Sequence, residues 1–138
     1  MANNLTNHTV QWGDCDPLGI VFYPNFYRWM DEASWALFNG RGLTIDAMEE
    51  RFGSLGTPLV ETGCTFKSPA RPRDALTIET EVAEWSNRSF RMSHIFKCGD
   101  RLVAEGFEVR VWVLKAPNRP AGIKGGDIPQ EVKDLLSG

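Results

Sequence analysis

One helix and four strands decide what this chain can fold into. Phe22, Phe26, Trp29, Met30, Ala33, Leu37 and Phe38 recur in steps of three, four and one. That spacing predicts a single helix over residues 24–39 with a broad apolar face. Pro24 suits its first turn, where a missing N–H does no harm, and Gly40 and Gly42 stop it. Beyond Gly53 the texture changes. Residues 59–67, 75–85, 89–98 and 102–114 are strand-like, with clear alternation at Thr77-Ile78-Glu79-Thr80-Glu81-Val82 and at Glu108-Val109-Arg110-Val111-Trp112-Val113. Ser86-Asn87-Arg88 and Gly99-Asp100-Arg101 are turn signals, which predicts hairpins between neighbouring strands. One helix of about 15 residues cannot cover such a sheet at many points. It must lie along one face with the antiparallel sheet curled round it, an α+β two-layer arrangement. The sheet's remaining face and edge then need cover, so a dimer is expected.

The lesser elements follow. Residues 8–12 suit a short strand, and residues 13–19 read as a Gly/Asp/Pro loop. Residues 44–51 make a second short helix with Thr44 as N-cap. The two-proline segment 68–74 joins strands by a longer crossing, residues 117–126 form a Gly/Pro-rich loop, and residues 129–136 suit a last short helix. At 138 residues, one domain spanning 1–138 is the default.

Composition excludes several function classes. The formal charge of -3 disfavours an extended nucleic-acid or anionic-membrane surface. Cys15, Cys64 and Cys98 are odd in number and widely spaced, which argues against a disulfide framework. With no CxxC pair and only His8 and His94, a structural zinc site lacks ligands. The polar N-terminus has no apolar core of a signal peptide, and no run of 18 apolar residues suggests a membrane span. A cytosolic location is expected.

The chemistry concentrates in Gly13-Asp14-Cys15-Asp16-Pro17-Leu18-Gly19-Ile20-Val21-Phe22-Tyr23-Pro24-Asn25-Phe26. Two carboxylates sit in a loop just before an apolar helix. The helix start offers unpaired N–H groups and a positive dipole end, which can receive a carbonyl oxygen as it becomes an oxyanion. A nearby carboxylate can attack an acyl carbon or activate water. On residues alone, a cap and a turn are the commoner roles for such acids. Cys15 has no basic neighbour to activate it and ranks behind Asp16.

The segment from Gly13 to Asp31 closely resembles the signature of the 4-hydroxybenzoyl-CoA thioesterase family of hotdog proteins. Gly56-Thr57-Pro58, Leu76-Thr77-Ile78-Glu79-Thr80, Glu84-Trp85 and Ser89-Phe90 extend the likeness, which weakens after Leu114. The resemblance implies a hotdog fold and hydrolysis of a small acyl-CoA. It makes Asp16 the catalytic carboxylate, as nucleophile or general base, and the backbone N–H of Tyr23 the group that polarises the thioester carbonyl. It leaves Asp14 a structural role with a mild effect on loss. Relatives acting on aliphatic thioesters carry a His where this chain has Tyr23-Pro24, so the resemblance tilts the substrate toward aromatic acyl groups.

Tyr27 and Asp31 lie one and two turns beyond Tyr23 on the same helix face, and with Thr57 and Pro58 they are the candidate acyl contacts. A neighbouring subunit is expected to complete that pocket. Arg88, Ser89 and Lys124 are the candidates for CoA, whose phosphates call for cations. No metal or redox cofactor is implied, and CoA enters as part of the substrate. The resemblance implies a homo-oligomer, a dimer at least and often a tetramer. The competing readings are a thioesterase for short aliphatic acyl-CoA or acyl-carrier-protein thioesters, a non-catalytic acyl-CoA-binding protein of the same fold, and a dehydratase, which needs a motif-placed His.

Overall fold

The computed structural model describes residues 4–138. Residues 1–3, part of the polar N-terminal stretch, lie outside the described residues. The elements run β1 (Asn4–Thr9), a 3-10 turn (Trp12–Asp14), α1 (Pro24–Gly40), α2 (Ile45–Phe52), β2 (Ser54–Gly56), β3 (Leu59–Phe66), β4 (Ala75–Trp85), β5 (Ser89–Cys98), β6 (Arg101–Val111), β7 (Val113–Lys115), β8 (Ile123–Gly125) and α3 (Gln130–Ser137).

Five strands form one antiparallel sheet in the order β1-β4-β5-β6-β3. The hairpins expected at 86–88 and 99–101 are the β4–β5 and β5–β6 connections. Helix α1 lies along the sheet and buries Phe26, Trp29, Met30, Ala33, Ser34, Leu37 and Phe38. The approach is close at Gly106 of β6, where any side chain would collide with Met30 Sδ. Helix α3 closes the far end with Val132 and Leu136, and Trp85 Nε1 donates to Ser137 Oγ at 2.9 Å.

The core is divided in two. Phe26, Trp29, Met30, Ala33, Ile78, Phe96 and Ala104 belong to one apolar cluster. Leu37, Phe38, Phe90, Met92, Trp112, Val132 and Leu136 belong to the other. Between them runs a polar belt: Ser34 on α1, Thr80 on β4, His94 on β5, and Glu108 and Arg110 on β6, all buried. The sequence offered a signal for it. Glu108 and Arg110 are two apart on one strand, so they share a face. That face is the one turned to α1.

Three expectations need correction. The strand expected at 8–12 ends at Thr9, and the chain turns at Trp12, whose side chain is 84% exposed and so contributes no inward face. The strand expected over 102–114 breaks between Val111 and Val113, because the chain leaves the large sheet there to pair with β2 and β8. The loop expected over 117–126 contains β8. Strands of three residues carry too little alternation to be read from sequence.

Candidate active site

The loop before α1 is pinned by its own backbone. The Asp16 N–H donates to Ile20 O, the Gly19 N–H donates to Asp16 O, both at 2.9 Å, and Gly19 adopts φ +76°, a left-handed conformation that glycine accepts without strain. The Leu18 N–H donates to Asp16 Oδ1 at 2.8 Å. Asp16 Oδ2 has no partner among the described residues. The loop is also tied outward. Val21 N–H donates to Ala70 O, and just upstream the Val10 N–H donates to Asp74 O while Val10 O accepts from the Arg73 N–H, all three partners lying in the β3–β4 crossing.

Asp14 turns the other way. Its carboxylate accepts from the Gln11 N–H at 2.8 Å and meets His8 Nε2 at 3.0 Å, while its carbonyl accepts from the Phe22 N–H and the Asn25 side chain. Burial pushes the Asp14 carboxyl up, but the Gln11 N–H, the His8 ring and the Arg28 guanidinium outweigh that and hold it below its ordinary value. A nearly buried carboxylate with these partners builds the loop. Losing it leaves its donors unmatched, at about 1–3 kcal/mol for each one that water cannot reach, in keeping with a structural role.

At the helix start, Pro24 has no N–H, the Asn25 N–H is taken by Phe22 O and the Phe26 N–H by Tyr23 O. The Tyr23 N–H meets no acceptor among the described residues. Asp16 and Tyr23 border one cavity of about 510 Å³, with Phe26, Phe66, Lys67 and Ala70 among its other walls. Its aromatic wall is continuous: the rings of Phe26 and Phe66 are 5.3 Å apart, and those of Tyr23 and Phe66 6.5 Å apart. Cys15 lies within the loop, next to Asp16. Burial and then the Asp14, Asp16 and Asp74 carboxylates push its thiol up, which keeps it protonated and poorly nucleophilic.

The other candidates stand elsewhere. Tyr27, Asp31, Thr57 and Pro58 do not border the Asp16 cavity. Asp31 and Thr57 meet at Arg110, which reaches Asp31 Oδ1 at 2.7 Å and Thr57 O at 2.9 Å. Arg110 pairs with Leu59 at one end of β3, whereas Phe66 at the other end borders the cavity. The two ends are about 23 Å apart at about 3.3 Å per residue. Arg88, Ser89 and Lys124 share the Leu59 end. Ser89 pairs with Val111, and a methyl placed on Gly125 would lie 3.7 Å from Arg88 Cδ. Arg88 is engaged with Asp127 at 3.2 Å in an exposed pair, a contact weak enough to exchange for another anion. Lys67 and Phe66 were not foreseen as cavity residues. They lie about fifty positions from Asp16 in the chain, and nothing local to them points to the loop. His94 is fully buried in the polar belt and His8 faces Asp14, so neither borders the cavity. No cluster of metal-ligating side chains occurs among the described residues.

The model of the thioesterase-like superfamily matches residues 10–136. The 4-hydroxybenzoyl-CoA thioesterase of Pseudomonas sp. (strain CBS-3) is 37% identical over 145 residues, covering 99% of this chain and 100% of that one. A solved structure of an Asp-to-Asn mutant of 4-hydroxybenzoyl-CoA thioesterase, complexed with 4-hydroxybenzoyl-CoA, superposes with a TM-score of 0.86 at 33% identity, covering 97% of this chain and 98% of that one. A gentisyl-coenzyme A thioesterase structure gives 0.78 at 34% identity, covering 96% and 98%. The long helix wrapped by an antiparallel sheet is thus the hotdog fold that the resemblance implied, and the chain belongs to the thioesterase-like superfamily.

Proposed function

We propose that this protein hydrolyses a small aromatic acyl-CoA of the 4-hydroxybenzoyl-CoA kind to the free acid and CoA. The observation that carries the reading is the pairing of a carboxylate oxygen without a partner, Asp16 Oδ2, with an uncommitted N–H, that of Tyr23, on one aromatic-walled cavity. The Tyr23 N–H holds the thioester oxygen and takes the charge that develops on it. In the nucleophilic route Asp16 bonds to the acyl carbon, the thiolate of CoA leaves, and water cleaves the resulting anhydride. In the general-base route Asp16 takes a proton from water as its oxygen adds to the same carbon. Either way the products are acid and thiol, and no metal or redox cofactor takes part. The names of the similar enzymes and the rings of Tyr23, Phe26 and Phe66 support an aromatic acyl group. Thiol release from benzoyl-, 4-hydroxybenzoyl-, phenylacetyl- and short aliphatic CoA thioesters tests this. Aroyl-CoA is expected to lead in kcat/KM by at least about tenfold, near 1.4 kcal/mol. An aliphatic or carrier-protein thioester in first place would overturn the aromatic reading, and binding without thiol release would overturn the enzyme.

The second part of the reading is a homo-oligomer. Strand β3 is one edge of the sheet and leaves Leu59, Val60 and Phe66 exposed, an arrangement that monomers avoid. Two copies joined antiparallel along β3 would set the Leu59 end of one against the Phe66 end of the other. That brings Asp31, Thr57 and Pro58, with Arg88, Ser89 and Lys124, toward the Asp16 cavity of the partner as acyl and CoA contacts, while Tyr27, one turn beyond Tyr23 on α1, is proposed as an acyl contact from the cavity's own chain. Light scattering is expected to give at least twice the chain mass of 15.5 kDa, as a dimer or a tetramer of two dimers. Val60→Asp is expected to separate the copies and remove activity together. A fully active monomer would refute this arrangement. No helix among the described residues is long and apolar enough to cross a membrane, and we place the reaction in the cytoplasm.

A further inference from the structure

The polar belt spends an unusual number of bonds on one residue. The Arg110 side chain is 3% exposed. Its Nε and one terminal nitrogen donate to the two oxygens of Glu108 at 3.2 and 3.0 Å, a terminal nitrogen donates to Thr57 O at 2.9 Å, and another bond goes to Asp31 Oδ1 at 2.7 Å. Glu108 is itself held from behind. Ser34 Oγ donates to its Oε1, and His94 Nε2 lies 3.0 Å from the same oxygen. His94 is fixed in turn by Thr80 Oγ1, 2.8 Å from its Nδ1. A buried charge cluster of this kind recovers its desolvation cost only when every member is bonded, and here the chain of bonds ends outside the core. Asp31 is half exposed, and its Oδ2 has no partner among the described residues. Beside it, Thr57 Oγ1 is buried without a hydrogen-bond partner.

We propose that Arg110, braced by Glu108, Ser34 and His94, is a positioning residue that fixes the Asp31 carboxylate and the Thr57 segment as one polar clamp for a hydroxyl on the acyl group. Only a planar fork can serve Glu108, Thr57 and Asp31 together. A lysine ammonium keeps the charge but not the geometry. Fixing Asp31 in advance lowers the ordering cost of binding a hydroxylated acyl group and gives nothing to an unsubstituted ring. The inference rests on the reading of Asp31 as an acyl contact, so the two must be tested separately.

The experiment measures kcat and KM for 4-hydroxybenzoyl-CoA and benzoyl-CoA in four proteins: Asp31→Asn, Arg110→Lys, their double variant and Ser34→Ala. Arg110→Lys is expected to raise KM for the hydroxylated substrate about tenfold, the scale of one charged hydrogen bond. KM for benzoyl-CoA and both kcat values should move by less than about threefold, a split that general loosening of the fold would not produce. The double variant should lose no more selectivity than Asp31→Asn alone, because both act through one carboxylate. Ser34→Ala, which touches only the brace, should shift selectivity in the same direction by about two- to threefold. If Asp31→Asn leaves selectivity unchanged, the acyl-contact reading fails and the inference falls with it. If Asp31→Asn changes selectivity and Arg110→Lys does not, the positioning role alone is overturned. Should Arg110→Lys fail to fold, Ser34→Ala decides, and unchanged selectivity there overturns the proposal.

Discussion

Asp16→Asn is expected to lower kcat for the preferred thioester by about 10²–10⁴-fold, the range of a positioned acid–base group, with substrate affinity largely kept. The amide has nearly the carboxylate's shape and can still accept from the Leu18 N–H through its oxygen, as Asp16 Oδ1 does at 2.8 Å. The loop should therefore stand, and circular dichroism and Tm should match the parent. What is lost is the anionic oxygen that either attacks carbon or takes a proton from water, since a neutral amide is too weak a nucleophile and base for either. Cysteine alkylation at Cys15 is the companion control and should leave turnover in place wherever the modified chain stays folded. Near-parental turnover by Asp16→Asn would remove Asp16 from the mechanism.

Glu108→Ala should destabilise the fold by about 3–5 kcal/mol, the cost of breaking a buried ion pair from one side. The substitution strands the Arg110 guanidinium, the Ser34 hydroxyl and His94 without their common acceptor. The same residue predicts a pH dependence. Burial pushes the Glu108 carboxyl up, but the His94 hydrogen bond and the Arg110 guanidinium outweigh it and bring it down to about 2 from an ordinary 4.5. The folded value lies below the unfolded one. Its contribution, roughly 3 kcal/mol, is therefore present above about pH 4.5 and is lost as pH falls toward 2. Urea unfolding at pH 7 and pH 3 should show this acid loss in the parent and a much smaller loss in Glu108→Gln. Equal losses in both would show that Glu108 is not the linked group.

What could be read in advance follows from how local each signal is. Helix α1 was legible because six apolar residues from Phe26 to Phe38 repeat at its period, and β4 because its alternation runs long. The three-residue strands β2 and β8 have no period to show. The alternation over residues 8–12 does not mark a strand's extent, because the chain turns at Trp12, which stands in solvent. At the site, a carboxylate beside a helix start could be read because loop and helix are contiguous in the chain, whereas the choice of Asp16 and of the Tyr23 N–H came from the family likeness. Phe66 and Lys67 reach the same cavity through the β3–β4 crossing, which no spacing reveals. Asp31 and Thr57 were grouped with the pocket on helix geometry and sequence likeness, yet in one chain they answer to Arg110 at the other end of β3. The polar belt passed as ordinary alternation, since charged residues that alternate with apolar ones, as Glu108 and Arg110 do, are read as the water-facing side of a strand.

The anchoring of the loop that carries Asp16 has a consequence for the order of folding. Its outward hydrogen bonds run to the segment around Ala70, Arg73 and Asp74, which lies some fifty to sixty positions away along the chain. Helix α1 can form from neighbours in sequence, but the loop that precedes it takes its shape only after the crossing between β3 and β4 is in place. Closing so long a stretch of chain is a slow, entropically opposed event. A nascent or refolding chain would therefore acquire helix and hairpins first and the shape of this loop last, so that the Asp16 carboxylate is presented only by molecules in which the β3–β4 crossing is already in place.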